Sequence, residues 1–493
     1  MKKKTLLLGA FWSGSKFFLN LIRSILLVPI FISVWSEESY SFWIIIMSFQ
    51  VLLQTLNLGY VQYLGNKINL KFHENPEFSF KTFGEGIGIT SFIFLIQIIC
   101  SLLFLFDYPL SILLGIPLPR VEFVEINLAL FIFMTFCTFN HIVLRLFTRL
   151  FEPLGKVDIS AKIGVITNFF ELLIMFIGLY LFNIELSDFL ILLGSYYFLS
   201  SGLILFYAFI KLPDFFKFIS IPTLKKIYNE YLLSSGFLFT NILEKINNES
   251  LPLIISFFLN LTFVPIYYTI RILSNIIITA GDLFLGLLIP DMQKFFVTKK
   301  GDNLIRVCNT YWFFLGLIIN LGVLIVFPFA EDFFNFWVRS KLKFNQTLFT
   351  YLIINSLIVI HGNVFLYFIK SINNTKQILG ITILKTVIFY LSIIMLEKNI
   401  SSIGLSLILS SIFIYILCLN FLVAKKVKSF GFNNYNINYL LGAFPFLISI
   451  LYLITWVYFD GIIVVTLLIF FLSIYYYNYY KILQNKNMFL KFK

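Results

Sequence analysis

Charged residues are scarce in this sequence. Only 12% of its 493 residues are Asp, Glu, Lys or Arg, and 59% are hydrophobic, whereas an average soluble domain has about 25% charged residues. A surface with so few charges cannot face water over most of its area, so an ordinary soluble protein is excluded. The net charge of +13 does not indicate a nucleic-acid partner, because the basic residues lie in short segments between apolar runs.

Motifs for metal binding and ATP hydrolysis are also missing. The cysteines lie singly in apolar runs, without disulfide or metal-ligand spacing; they are Cys100, Cys137, Cys308 and Cys418. There is no G-x-x-x-x-G-K-[ST] motif, so we do not expect this chain to hydrolyse ATP. We therefore expect no metal and no cofactor, and a proton gradient, a sodium gradient or the membrane potential would drive any transport.

One glycine-rich run, Gly84, Gly86 and Gly88, opens an apolar segment. A phosphate-binding loop with this kind of pattern follows a β-strand, and the sequence before Gly84 does not resemble a strand. The run therefore predicts close packing of a helix against a neighbour rather than a nucleotide site.

Long hydrophobic runs make up most of the chain. A helix needs about 20 mostly apolar residues to cross the hydrocarbon of a bilayer. The runs of that length are 6–34, 41–65, 82–106, 123–147, 159–182, 187–210, 228–258, 263–289, 304–329, 345–369, 378–396, 401–423, 439–458 and 461–480. The sequence predicts an all-α, polytopic membrane protein with about fourteen transmembrane helices.

The distribution of Lys and Arg predicts the orientation in the membrane. With a cytoplasmic N-terminus, the inner segments carry 27 Lys and Arg and the outer segments carry five. Basic residues are concentrated in cytoplasmic loops of membrane proteins, so both termini are predicted to be cytoplasmic. Connections of about 20 residues at most leave no room for a folded domain outside the membrane.

The chain also shows signs of an internal repeat. An offset of 227 residues places Tyr40 on Tyr267, Gly59 on Gly286 and Lys67 on Lys294. We interpret this as two halves of six helices with two helices appended; chance similarity between Leu-rich helices is the alternative. The predicted domains are 1–222 (helices 1–6), 223–430 (helices 7–12) and 431–493 (helices 13–14 and a cytoplasmic tail).

A few charged residues lie inside the predicted helices. A charge at the centre of a bilayer costs at least about 2.5 to 3.5 kcal/mol on insertion scales, so such residues are expected to face a polar interior. The basic ones are Lys16, Arg23, Lys245, Arg271 and Lys385, and the acidic ones are Glu171, Glu244, Glu249 and Asp282.

Several of these charges share one face of a helix with polar residues. Lys16, Asn20 and Arg23 recur at helical spacing in the first span, and the second, seventh and eighth spans have similar stripes. The sequence thus predicts a polar, partly cationic cavity between the two halves. Its candidate substrate-binding residues are Arg23, Arg271, Lys16, Asn20, Gln50, Gln54, Asn241, Lys245 and Asn275.

The alternative is that these charges pair with one another and stabilise helix packing. For the seventh span we favour pairing of Lys245 with Glu244 or Glu249. For Lys16 and Arg23, whose own span has no acid, we favour contact with an anionic ligand. A guanidinium suits a pyrophosphate, because its planar fork donates two parallel hydrogen bonds.

Two further roles follow from position. Glu171, Glu244 and Asp282 are candidates for proton or sodium coupling, since each is an acid inside a predicted span. Arg145, at the inner end of its span, is predicted to be an interfacial anchor.

Short motifs along the chain resemble O-antigen and polysaccharide flippases of the Wzx type. Residues 27–30 (LVPI), 38–43 (ESYSFW) and 58–59 (LG) resemble the start of that family. Residues 264–267 (VPIY), 289–290 (IP), 361–363 (HGN), 370–376 (KSINNTK) and 403–405 (IGL) resemble its second half. Ser41 departs from the pattern, because a Gly is usual after the Tyr in this family.

The resemblance implies the fold of the multidrug and oligosaccharidyl-lipid/polysaccharide exporter superfamily, which includes MATE transporters: two six-helix lobes in a V. It implies a bacterial cytoplasmic (inner) membrane protein, surrounded by membrane lipids, that moves an undecaprenyl-pyrophosphate-linked glycan to the outer leaflet. Arg23 and Arg271 would contact the pyrophosphate. A polysaccharide polymerase and chain-length machinery are the expected protein partners.

Two other functions remain open at this point. A MATE-type ion-coupled multidrug exporter would share the fold, but a site for cationic drugs is expected to be acidic. A polysaccharide polymerase, the enzyme alternative, is expected to have a sizeable outer loop with catalytic residues, and the outer loops here are modest. We therefore expect a transporter and not an enzyme.

Overall fold

The computed structural model describes residues 3–72, 75–106, 120–151, 154, 156–220, 222–297, 301–371, 375–396, 399–419, 435–458, 472 and 474–481. The first half contains α1 (Lys3–Val34), α2 (Glu37–Lys71), α3 (Pro76–Phe106), α4 (Arg120–Leu150), α5 (Val157–Phe176), α6 (Leu186–Lys211), α7 (Leu224–Glu249) and α8 (Leu251–Phe258). The second half contains α9 (Phe263–Val297), α10 (Gly301–Val326), α11 (Ala330–Trp337), α12 (Gln346–Ser371), α13 (Thr375–Met395), α14 (Ile400–Ser411) and α15 (Tyr435–Tyr458). A π-helical turn, Ile177–Leu181, continues α5, and a second, Ile412–Leu419, continues α14.

The described part of the chain is mostly helical and contains no β-strand, and ten of its helical stretches are long and apolar enough to cross a membrane. They run from Gly14–Val34 to Lys376–Met395. Two shorter apolar helices, Ile400–Tyr415 and Ala443–Ile454, follow them. The predicted all-α, polytopic fold class is therefore confirmed. The fourteenth predicted span, 461–480, falls largely outside the described residues.

The seventh predicted span, 228–258, is not one continuous helix. α7 ends at Glu249, and α8 begins at Leu251 with Pro252 in its first turn. Proline has no amide hydrogen, and its ring clashes with the carbonyl group four residues earlier in a continuous helix. The Ser250 hydroxyl donates to the Ile246 carbonyl at the same place. The break at Ser250 is the local consequence of Pro252.

The chain divides into two compact units, Met1–Pro265 and Ile266–Lys493. α7 and α8 belong to the first unit, where α7 packs against α2. The predicted domains, 1–222, 223–430 and 431–493, assign helices by the sequence repeat rather than by compactness, and they stay predictions.

The predicted repeat stays a prediction. Three successive described helices of the two halves begin within two residues of the 227-residue offset. The paired starts are Glu37 and Phe263, Pro76 and Gly301, and Arg120 and Gln346.

Within the first unit, α2 lies between α4 and α7 and runs antiparallel to α7. The two helices approach closely because Gly59 has no side chain; a Cβ atom there would lie 2.6 Å from the Cα of Leu238. Two ion pairs join the N-terminal part of α7 to α2 and α3. Nζ of Lys67 on α2 lies 2.7 Å from a carboxylate oxygen of Glu230. Lys226, also on α7, pairs with Glu85 of α3 at 2.6 Å.

The glycine run of α3 packs against the segment that joins α6 to α7. A Cβ atom on Gly84 would overlap the Phe218 carbonyl, and one on Gly88 would overlap Pro222. A Cβ atom on Gly86, between these two glycines, would meet the side chain of Leu64 on α2. The predicted packing role is therefore confirmed, with a connecting segment and a helix as the neighbours. The segment that joins α6 to α7 therefore packs closely against α3.

Candidate functional site

The polar stripe of α1 faces a matching stripe on α5. Asn168 Nδ2 donates to Asn20 Oδ1 at 3.0 Å. One helical turn towards the N-terminus of both helices, a Cβ atom on Gly164 would lie 3.3 Å from Nζ of Lys16. The two residues of each contact, Asn20 with Asn168 and Lys16 with Gly164, are 148 residues apart in the sequence. The two helices therefore run parallel in a fixed register.

The third contact between α1 and α5 is an ion pair. Nη2 of Arg23 lies 2.8 Å from Oε1 of Glu171, and the two side chains are 25% and 11% exposed. The Tyr197 hydroxyl on α6 donates to the same carboxylate oxygen at 2.7 Å. Arg23 therefore has a carboxylate partner on a neighbouring helix, although its own helix contains no acid. Its predicted contact with a ligand, and the predicted ion-coupling role of Glu171, stay predictions.

A second group of cations lies beside this pair. The positive charge of Arg145 on α4 acts on Lys16, and both act electrostatically on His141 of α4. Lys16 is exposed, while Arg145 and His141 are half-buried. The predicted role of Arg145 as an interfacial anchor stays a prediction. Arg145 lies four residues from His141, which places both on one helical face.

The two glutamines predicted to contact substrate lie between helices of the first unit. Gln50 is fully buried and donates to the Thr138 hydroxyl of α4 at 2.8 Å. Gln54, also buried, donates to the Cys137 sulfur at 3.7 Å. Their amide hydrogens therefore hold α2 to α4, a packing role that the sequence stripe does not distinguish from ligand binding.

The predicted site residues of α7 are half-buried. Lys245 and Glu249 form an i,i+4 ion pair at 3.5 Å, which confirms the predicted pairing within this segment. Asn241 and Glu244 lie on the same helix and are also half-buried. These residues lie just before the break at Ser250, where the helix direction is interrupted.

The second unit holds the other predicted site residues, all on α9. Arg271, Asn275 and Asp282 are half-buried, and their spacing of four and seven residues places them on one face. Asn363 Nδ2 on α12 donates to Asp282 Oδ1 at 2.9 Å. Arg23 lies in the first unit and Arg271 in the second, and their predicted contacts with a ligand stay predictions.

An apolar pocket of about 410 Å³ lies within the second unit, bounded by α9, α10, α11 and α12. Its walls include Leu273 and Ile277 of α9, Ile319 and Val323 of α10, and Phe333 of α11. A wall of hydrocarbon side chains offers no hydrogen-bond partner, so the pocket suits an alkyl or isoprenoid chain.

Solved structures with a similar fold are known for this chain. No family model and no curated protein sequence matches the chain. Among solved structures, the lipid II flippase MurJ in an inward closed conformation matches with a TM-score of 0.70 and 16% sequence identity, over 98% of this chain and 100% of MurJ. An inward-facing multidrug resistance MATE family transporter of the MOP superfamily matches with a TM-score of 0.58 and 12% identity, over 86% of this chain and 99% of that chain.

An outward-facing MATE family transporter is also similar, with a TM-score of 0.54, 12% identity and 87% of this chain covered. At this level of identity the likeness shows the fold alone. The MATE-like fold that the sequence resemblance implies is therefore confirmed, and the substrate is a separate question.

Proposed function

We propose that this chain is a flippase that moves an oligosaccharide linked to undecaprenyl pyrophosphate from the inner to the outer leaflet of a bacterial cytoplasmic membrane. The observation that carries the proposal is the group of cations on two helices of the first unit, Lys16 and Arg23 on α1 and Arg145 on α4. Glu171 of α5 pairs with Arg23, and the charge of Arg145 acts on Lys16. Such a site attracts an anionic headgroup and disfavours cationic drugs.

The fold supports transport by alternating access. MurJ and the MATE transporters, which share this fold, are named as a flippase and as multidrug transporters. In the proposed mechanism, cations of the first unit and Arg271 of the second replace water around the pyrophosphate while the lipid tail stays in the membrane. Because Gln50 and Gln54 donate to α4, contacts with sugar hydroxyls fall mainly to Asn20, Asn241 and Asn275.

Energy coupling by Glu171, Glu244 or Asp282 is part of the proposal. Glu171 is the best placed of the three, because its carboxylate contacts a cation of the site directly. Protonation of Glu171 would release Arg23, so proton binding and headgroup binding would be linked. The proposal includes cytoplasmic termini and association with a polysaccharide polymerase and chain-length machinery.

The test is a transport assay with the purified full chain in liposomes. A fluorescent single repeat unit on undecaprenyl pyrophosphate should move between leaflets with wild-type protein, and the double variant R23Q/R271Q should abolish this movement. In cells, loss of the protein should leave single repeat units on the inner leaflet. Units that reach the outer leaflet unpolymerised would indicate a polymerase instead. Drug sensitivity with normal surface polysaccharide would indicate a multidrug exporter.

A further inference from the structure

We infer that the second unit binds one anionic phospholipid. An acyl chain of this lipid would fill the apolar pocket between α9, α10, α11 and α12, and its phosphate would lie beside Arg339 and Lys343. The inference goes beyond the proposed function, because it concerns a resident membrane lipid and holds whichever cargo the chain moves.

The pocket has the size and the chemistry for one acyl chain. Its volume is about 410 Å³, and its walls consist of hydrocarbon side chains and one glycine. The α10 wall extends from Ile318 to Val326, a length of about 12 Å at 1.5 Å per residue. Both of these side chains are exposed, so the pocket opens at the surface of the unit. The hydrocarbon of one leaflet is about 15 Å deep, which matches this length, whereas most of an undecaprenyl chain would stay outside.

The pocket lies on the opposite face of α9 from the predicted cargo contacts. Leu273 and Ala280 line the pocket, whereas Arg271, Asn275 and Asp282 form the polar stripe of the same helix. At 3.6 residues per turn, the centres of the two faces are about 180° apart around the helix axis. The pocket is therefore not a part of the predicted polar cavity.

A basic turn follows α11, the helix that forms one wall of the pocket. The predicted outer connections carry five Lys and Arg, and three of them fall within residues 339–343: Arg339, Lys341 and Lys343. Basic residues are depleted from outer segments of membrane proteins, so this concentration in one turn indicates a local role. Attraction of an anion is the role that three neighbouring cations serve best.

Both ends of the basic turn contact the pocket walls. Phe333 of α11 lines the pocket, and Arg339 follows six residues later, directly after the helix. At the other end, the Phe344 ring packs against Phe334 of α11 at 5.1 Å and against Phe349 of α12 at 5.4 Å. Phe349 is itself a pocket wall. The pocket and the turn are thus continuous, as a single lipid with a chain and a headgroup requires.

The backbone of the turn is held in an unfavourable conformation. Arg339 and Ser340 have φ angles of 54° and 55°, in the left-handed region that residues with a side chain rarely adopt. The Ser340 amide donates to the Asn335 carbonyl at 2.8 Å and fixes this geometry. Residues in such conformations are concentrated at functional sites. Arg339 and Lys343 are exposed, and within the described ranges neither side chain pairs with a carboxylate.

The charges of the turn favour an anionic headgroup over a zwitterionic one. The Arg339 guanidinium can donate two parallel hydrogen bonds to a phosphodiester, and the Lys343 ammonium adds a point charge on a flexible stem. The acids of α11, Glu331 and Asp332, lie in its first turn, at the opposite end of the helix from Arg339. Phosphatidylglycerol, with one net negative charge, should therefore bind more tightly than phosphatidylcholine.

The test is native mass spectrometry of the purified full chain, titrated with phosphatidylglycerol or phosphatidylcholine that carry the same acyl chains. Wild type should bind one phosphatidylglycerol with a Kd at least about tenfold lower than for phosphatidylcholine, as expected for a charge-assisted contact. R339Q/K343Q should reduce this preference to within about twofold. The matched control K225Q removes an exposed cation of α7 and should keep the full preference.

A second pair of variants tests the pocket. A Cβ atom on Gly322, which lines the pocket on α10, would meet open space. The side chain of G322L should therefore occupy the pocket and abolish binding of the single lipid of either kind. The control G202L adds the same side chain to an exposed glycine of α6 that also has open space around it, and it should bind lipid as wild type does.

Three results of these titrations would overturn the inference: an unchanged preference in R339Q/K343Q, an equal loss of preference in K225Q, or normal lipid binding by G322L. Tighter binding of undecaprenyl phosphate than of phosphatidylglycerol, lost in G322L, would also overturn it and assign the pocket to the tail of the cargo. A lipid-free dimer of wild type that G322L dissociates would overturn it in favour of a second copy of this chain.

Discussion

The ion pair between Arg23 and Glu171 makes a quantitative prediction about stability. Removing one member of a buried ion pair costs about 3 to 5 kcal/mol. Because the two side chains retain 25% and 11% exposure, we expect a smaller loss, about 2 kcal/mol, for R23M or E171M alone. The double variant R23M/E171M leaves no unpaired charge, so it should be more stable than E171M, with a coupling energy of about 1 to 2 kcal/mol.

The assay is equilibrium unfolding of the purified protein in mixed micelles, with increasing dodecyl sulfate and tryptophan fluorescence as the signal. The matched control is the ion pair of Lys217 with Asp214, which has a similar contact distance of 2.7 Å but side chains 68% and 59% exposed. Exposed pairs contribute little, so K217M should change stability by less than about 0.5 kcal/mol. Losses for R23M and E171M that add within about 0.5 kcal/mol in the double variant would refute a direct interaction between them.

Two further predictions concern the first unit. G84A should reduce the yield of folded protein, because its Cβ atom would overlap a backbone carbonyl of the connecting segment. The control G202A, with open space around its Cβ, should express normally. Equal yields of the two variants by size-exclusion chromatography would contradict this reasoning. For Lys67, burial lowers the pKa, but the hydrogen bond and charge of Glu230 outweigh it and raise the pKa overall. The stability from ionised Lys67 is therefore fully present below the unfolded pKa of about 10.4 and is lost as pH rises through the raised folded pKa. Thermal unfolding should show a constant gap between wild type and K67M from about pH 7 to 9, and a gap that widened with pH in that range would contradict the reasoning.

The fold class is predictable from the sequence because one physical requirement dominates it. A backbone in lipid must satisfy its own hydrogen bonds, so long apolar runs become helices. The same argument predicts most helix bounds, but it misses the break in the seventh span. Pro252 is the readable signal there, and the apolar residues on both sides of it conceal the interruption.

The candidate site is predictable only in part. The spacing of Lys16, Asn20 and Arg23 predicts one polar face, and the structure confirms that this face meets polar groups of another helix. The identity of the partner depends on contacts 148 residues apart, which helical periodicity does not specify. For the same reason Gln50 has the pattern of a ligand contact, although its amide donates to a neighbouring helix.

The position of Arg145 shows a related limit. A basic residue near the end of an apolar run has the pattern of an interfacial anchor, and the sequence does not indicate that the charge of Arg145 acts on Lys16 of α1. The local sequence indicates the depth of a residue in the membrane. Its neighbours in the membrane plane depend on the tertiary fold.

The fixed register between α1 and α5 has a consequence for sequence variation among homologous proteins. A slip of one helical turn would place Lys16 opposite Asn168 and leave Glu171 without its cation, so the two helices are constrained to slide and rotate as one body. Substitutions at 23 and 171 should then occur together, as should those at 20 and 168. A bulky residue at 164 should accompany a shorter one at 16, because the ammonium stem occupies the space that glycine leaves.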